Sequence, residues 1–227
     1  MLQCARNEFR AVAEAGRESE KNEKSVAGKK VVRMKKIVYL PLDERPCNYS
    51  FPKKILGEDN KDYFLVQPEL SMMGKKKPAD YEKIKEFLLT ECRSAFGLIV
   101  SVDCLLYGGI VPSRLHTMND AVLTERLALL EKIKKQNPAI TIYAFSLIMR
   151  CPQYSSDDEE PDYYGVCGYE IFKLGELLHK RQLGMLTDEE EKAIGTYKEK
   201  TDGYLQDYLA RREVNVRPFE IKTLRLV

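Results

Sequence analysis

Residues 96–102 (FGLIVSV) form an unbroken apolar run between two segments of helical periodicity, and no feature of the chain restricts its fold more. A strand that is apolar at every position has no polar face to turn to water. It must be covered on both sides, which is the situation of a strand in a parallel sheet between helices. The flanking segments fit. Residues 78–94 (PADYEKIKEFLLTECRS) place Ile84, Phe87, Leu88 and Cys92 on one helical face, with Pro78 suited to the first turn. Residues 118–136 carry a stripe of Val122, Leu123, Leu127, Leu130 and Ile133 behind Asn119 as N-cap. Further strands are expected at 35–41, 62–67 and 139–148, where β-branched and aromatic residues cluster. Further helices are expected at 50–57, 168–183 and 187–212, the last opened by Thr187 and Glu190 as a capping box. The alternation predicts an α/β fold, a mostly parallel β-sheet flanked by helices. It is either doubly wound or an incomplete barrel, because four strands are too few to close an eight-stranded one.

Composition narrows the function classes. The chain has 227 residues, 44% hydrophobic and 32% charged, as expected of a soluble globular protein. No apolar run approaches the ~18 residues of a membrane-spanning helix. Residues 1–33 are polar and charged throughout, with no apolar core of a signal peptide. They are expected to be a disordered or non-native N-terminal extension, with Met34 (MKKIVYLPLD) as the natural start of an α/β domain spanning 34–227. The extension holds 8 Lys/Arg and 5 Asp/Glu, and the remainder holds 29 and 30. The domain is therefore neutral, which argues against a nucleic-acid partner. Six Cys are scattered without metal-ligand spacing and read as reduced thiols of a cytoplasmic protein. Only His116 and His179 are present, so chemistry needing several His ligands is disfavoured. G-x-G-x-x-G and G-x-x-x-x-G-K-[ST] are both absent.

In parallel α/β folds ligands bind beyond the carboxyl ends of the strands. Three expected strands run straight into unusual polar sequences. The first runs into Pro41-Leu42-Asp43-Glu44-Arg45-Pro46-Cys47-Asn48. The third runs into Ser101-Val102-Asp103-Cys104 and on through Tyr107, Gly108, Gly109, Ser113 and Arg114. The fourth runs into Met149-Arg150-Cys151-Pro152. These residues are expected to converge on one rim. Asp43, Asp103 and Glu44 are the candidates for acid and base work, which two carboxylates can share when their environments differ. Arg45, Arg114 and Arg150 are candidate clamps on an anionic or sugar-like ligand, or else neutralise the Asp residues. Asn48, Tyr107 and Ser113 offer neutral hydrogen bonds, and Gly108-Gly109 permits close backbone approach. Cys47, Cys104 and Cys151 read as small buried residues, His116 as a loop residue and His179 as surface. Asp157, Asp158, Glu159, Glu160 and Asp162 form an acidic loop, usually only solvated and otherwise able to hold a divalent cation. No cofactor or metal is required by the sequence. The stretch Met72–Lys77 reads as a mobile basic loop, with a phosphate-contacting loop as the alternative.

The motifs PLDERPCN, SVDCLLYGGIVPSR, IMRCPQYSSDDEEPDYYGVCG and DYLARREVN, covering about residues 34–215, resemble a bacterial family known only as a domain of unknown function. That family opens with MKIVYLPLDxRPxN. The resemblance implies a cytoplasmic bacterial protein and marks Asp43, Arg45, Pro46, Asn48, Asp103, Tyr107, Gly108, Gly109, Ser113 and Arg114. Arg150 and residues 159–163 match as well. Members are about twice as long, and the sequence after Asn215 drifts from the pattern. The resemblance thus implies a C-terminally truncated N-terminal half. Such a half is expected to leave a sheet edge open to self-association.

The leading expectation is an enzyme, hydrolase-like, that takes a small polar metabolite. The alternatives are a non-catalytic small-molecule-binding module and an inactive fragment. A catalytic rim is expected to hold a desolvated carboxylate, whereas a binding rim pairs each carboxylate with Arg.

Overall fold

The computed structural model describes residues 34–147 and 150–214. The expectations for residues 1–33, for Met149, and for the tail after 215 lie outside the described residues. Four strands form one sheet: β1 (Lys35–Leu40), β2 (Tyr63–Val66), β3 (Gly97–Ser101) and β4 (Thr141–Phe145). All pairings are parallel and the order is β2-β1-β3-β4. A barrel would keep strands in sequence order. Here the chain first steps one way from β1 to β2, then crosses back to β3 and β4. That reversal is the doubly wound arrangement, and it places a topological switch between β1 and β3.

The five residues of β3 are all buried, as a strand covered on both faces must be. On one face Val38, Leu40, Leu98, Val100 and Ile142 pack against helices α3 (Tyr81–Glu91) and α6 (Asp120–Gln136) through Ile84, Leu88, Leu130 and Ile133. Each such side chain contributes on the order of 1.5–3 kcal/mol by leaving water. On the other face Ile37, Tyr39 and Ile99 pack with Tyr63, Leu65, Phe96, Tyr143 and Phe145.

The caps follow the sequence in part. Asn119 accepts from the amide of Val122 at 3.1 Å, and Thr187 and Glu190 make both bonds of the capping box. Pro78 stands outside α3, whose N-cap is Asp80, accepting from the amide of Lys83 at 3.2 Å. The helix expected at 50–57 is α2 (Phe51–Leu56), and a short helix not expected from the sequence, α1 (Pro46–Tyr49), precedes it. Residues after β3, where no helix is expected, wind into α4 (Val102–Tyr107) and α5 (Ile110–Leu115). In α6 the buried residues are Leu129, Leu130 and Ile133, while Val122 and Leu127 are exposed.

Beyond β4 the chain forms α7 (Tyr164–Gln182), α8 (Asp188–Thr201) and α9 (Leu205–Val214). Leu174, Leu177 and Ile194 hold α7 to α8, and Tyr208 of α9 packs on Tyr164, Cys167 and Ile171. The single helix expected over 187–212 breaks at Asp202-Gly203-Tyr204, where Gly203 takes a φ of 85°. No helix among the described residues is long and apolar enough to cross a membrane.

Candidate functional site

A cleft of about 220 Å³ opens at the carboxyl ends of β1 and β3, where the switch lies. Its walls are Asp43 to Arg45 after β1, the basic turn Lys75 to Lys77, the stretch Gly108 to Pro112 after α4, and Glu159 of the acidic loop. A pair of crossovers leaving β1 and β3 toward opposite faces leaves such a crevice as a matter of topology.

Asp43 is the buried carboxylate of this cleft. Its Oδ1 accepts from the Asn48 amide group at 2.7 Å and from the Arg45 backbone N–H at 3.1 Å. Its Oδ2 accepts from Arg45 Nε at 2.8 Å, and the second guanidinium nitrogen lies at 2.6 Å. Both guanidinium nitrogens converge on Oδ2 while Asn48 and the Arg45 amide hold Oδ1, so partners at both oxygens fix the carboxylate plane as well as its position. The same bonds push the Arg45 guanidinium above its ordinary value. The prolines that bracket this segment are followed by α1, whose first residue is Pro46. Pro at the first helical turn costs no backbone bond, which lets the chain turn immediately after Arg45. Cys47, expected as a buried filler, is exposed at this turn, whereas Cys104 is buried and Cys151 is half-buried. Burial pushes the Cys104 thiol up to about 12, with the charges of Asp43 and Asp103 adding to it.

The other predicted carboxylate sits elsewhere. Asp103, in the first turn of α4, is 1% exposed and does not line the cleft. Its Oδ2 accepts from the Leu147 amide at 2.9 Å and from Ser146 Oγ at 3.3 Å. It therefore ties the end of β3 to the segment leaving β4. Burial pushes its carboxyl above the usual carboxylate range, against the pull of those two bonds.

Glu160 holds the arginines that were expected at the ligand. Its Oε1 accepts from Arg114 at 3.0 Å and from Arg150 Nε at 2.7 Å, and its side chain is wholly buried. Arg114 and Arg150 do not line the cleft, because a buried carboxylate needs a counter-charge and two guanidiniums from separate elements supply it. Burial pulls the Arg114 guanidinium below its ordinary value, partly offset by Glu160. Ser113 closes a helical turn onto the carbonyl of Ile110 at 2.7 Å. Tyr107 stacks on His116 with ring centroids 4.4 Å apart, and burial pushes its hydroxyl up to about 12. His179 is exposed on α7.

Two of the remaining acidic residues pair with a lysine. Lys76 lies 3.3 Å from Asp158 and 2.9 Å from Glu159, and those carboxylates hold its ammonium above its ordinary value. Asp157 and Asp162 are exposed. Among the described residues no group of three or more His, Cys, Asp or Glu is arranged to hold a metal ion.

Two glycines shape the rim. Gly108 has a φ of 89°, and a Cβ there would stand 2.5 Å from the Ala79 nitrogen. Its carbonyl accepts from that same N–H at 3.0 Å, which fastens the basic turn to the end of α4. Gly109 has a φ of 141° and runs beside Asp43. Among the described residues two non-glycine residues have positive φ, Lys75 at 45° and Glu159 at 67°, and both line the cleft. Conformations of this cost collect at ligand sites.

The structure thus brings Asp43, Glu44, Arg45, Gly108 and Gly109 to one cleft, with Asn48 behind Asp43. It assigns Asp103, Tyr107, Ser113, Arg114 and Arg150 to contacts around it. Lys75 to Lys77, read from the sequence as part of a mobile basic loop with a phosphate-contacting loop as the alternative, form a wall of the cleft, and Gly74 and Pro78 at either end of the run signal the tight turn.

A family model described as "Protein of unknown function (DUF4127)" matches residues 37–227. This agrees with the motif resemblance to a domain of unknown function. No curated protein and no solved structure matches the chain.

Proposed function

The chain belongs to this family of proteins of unknown function, and from that premise we propose that it carries the ligand cleft of an enzyme acting on a small polar metabolite, anionic or sugar-like. The observation that supports this is a cleft at the switch point in which a buried, doubly clamped carboxylate faces a basic wall. Hydrolysis is the reaction class that these groups suit. In that role Asp43, oriented by Arg45 and Asn48, takes a proton from water. Glu44, half-buried in the same wall, returns one to the leaving group. Arg45 and the backbone at Gly108 and Gly109 meet the substrate. Asp103, Tyr107, Ser113, Arg114 and Arg150 position these elements rather than touch it.

The test is turnover by the purified chain over a panel of phosphate esters, glycosides and carboxylic esters, repeated with Asp43→Asn and Glu44→Gln. Each substitution is expected to lower kcat by about 10²-fold or more, the usual yield of a positioned acid or base. Ligand affinity is expected to change less than kcat. Full activity in both variants would remove these two residues from the chemistry.

A second reading is favoured by one observation. Asp43 and Glu160 are each locked to Arg, as in a rim built to bind rather than to react. A ligand that binds with no turnover on any panel member, and with equal affinity in Glu44→Gln, would mark the cleft as a sensor or carrier site.

A further inference from the structure

We propose that the basic turn Lys75-Lys76-Lys77 is a phosphate subsite of the cleft, and that Asp158 and Glu159 stand on Lys76 where the ligand's phosphate would bind. This inference rests on the cleft being the ligand site and names the class of ligand, a small phosphorylated metabolite.

The charges decide the class. Three lysines line the same space of about 220 Å³ as Arg45, whose charge Asp43 balances. That volume lies below the ~300 Å³ lower bound of pockets for drug-sized molecules, so the ligand has few heavy atoms. One ammonium, Lys76, holds two carboxylates at 3.3 and 2.9 Å. Two negative charges around one ammonium match the charge of a phosphate group near neutral pH, about −1.5 to −2. Among the described residues neither Lys75 nor Lys77 has an ion-pair partner, so two further cations are available to the same dianion. A single carboxylate ligand would leave them unused.

The exchange is mechanically simple. Lys76 and Asp158 are largely exposed, and ion pairs at that exposure are weak and easily replaced. The segment bearing them stays anchored, because the next residue, Glu160, is buried between Arg114 and Arg150. Only the side chains of Asp158 and Glu159 need to swing. The basic turn is likewise fixed, by the Ala79 bond to Gly108 and by the Asp80 amide on the Met72 carbonyl at 3.0 Å. The cations therefore hold their place while the internal anions leave.

The experiment is isothermal titration of the full chain at low ionic strength, where exposed charges are least screened. The probes are inorganic phosphate, acetate and glucose. The variants are Asp158→Asn/Glu159→Gln and Lys75→Gln/Lys76→Gln/Lys77→Gln, each first shown to melt as wild type does. Phosphate is expected to bind the wild type and to bind the acidic-pair variant about three- to tenfold more tightly. It is expected to bind the triple-lysine variant at least about tenfold more weakly, with acetate weaker throughout. Phosphate binding that is equal or weaker in the acidic-pair variant overturns the stand-in role while the cleft remains a ligand site. Glucose binding without phosphate binding overturns the phosphate subsite and leaves the cleft reading intact. No binding of any probe to any variant overturns both.

Discussion

Burial turns two acidic residues to opposite uses. Glu160 is wholly buried between Arg114 and Arg150, and its second oxygen, Oε2, has no hydrogen-bond partner. Removing the charge from such a cluster leaves guanidiniums without a counter-ion, at a cost of about 3 kcal/mol. Glu160→Gln is therefore expected to lower the unfolding free energy in urea by about that amount; a loss below about 1 kcal/mol would show that the cluster is not what holds the acidic segment. Asp103 has no Arg. Its folded pKa stands above the ordinary 3.8 because burial disfavours the charge. The folded chain thus binds this proton more tightly than the unfolded chain. The stabilisation linked to it is complete below about pH 4 and is lost as the pH rises through the raised value. Asp103→Asn is expected to flatten this decline, measured as the midpoint of urea unfolding between pH 4 and 8. An unchanged slope would place the pH dependence elsewhere. The sequence showed that Asp103 follows an apolar run and so sits at the core edge. It could not show the partners, Ser146 and Leu147, which arrive from 43 and 44 residues away.

Elements with strong period and caps were legible, and those fixed by contacts were not. Asn119 and Thr187 cap as read, because a cap is decided by residues within one turn. Thr187→Ala is expected to cost about 1 kcal/mol in thermal unfolding. The buried face of α6 departs from the sequence stripe for a tertiary reason. Arg126 donates to the carbonyl of Leu106 and lies over the ring of Tyr81, with 4.2 Å to its centroid. This contact fixes the rotation of the helix and leaves Leu127 outside. Helices α4 and α5 were hidden by the pair Gly108-Gly109, which reads as a loop. In the fold it is a two-residue corner between helices, possible only because both take positive φ. Gly108→Ala is expected to destabilise by about 2 kcal/mol and to loosen the basic turn, since the new methyl meets the Ala79 nitrogen. Hydrogen exchange at residues 74–79 would report it, and unchanged protection there would break the link between turn and rim.

For the whole molecule, fold class was legible because an all-apolar strand between amphipathic helices admits few architectures. Strand order was not, since no local signal tells whether β3 pairs with β1 or with β2. The candidate site was half legible for the same reason. The rule that ligands bind beyond strand ends found Asp43, Arg45 and the glycines, but the switch point that selects them needed the order itself. β1 and β3 are the interior strands, so their amides are expected to exchange most slowly, with β2 and β4 faster at the edges. The cleft is walled by four stretches far apart in the chain, at 43–45, 75–77, 108–112 and 159. No fragment of the molecule holds more than a part of it, so whatever occupies it binds the assembled chain and not the unfolded one. Occupancy is then coupled to global unfolding. At a hundredfold excess over Kd a ligand adds about 2.7 kcal/mol. For a chain of this size that raises Tm by roughly 5–10 °C. A library of metabolites can therefore be read by melting temperature alone, so that the protein identifies its own ligand before any assay of its chemistry exists.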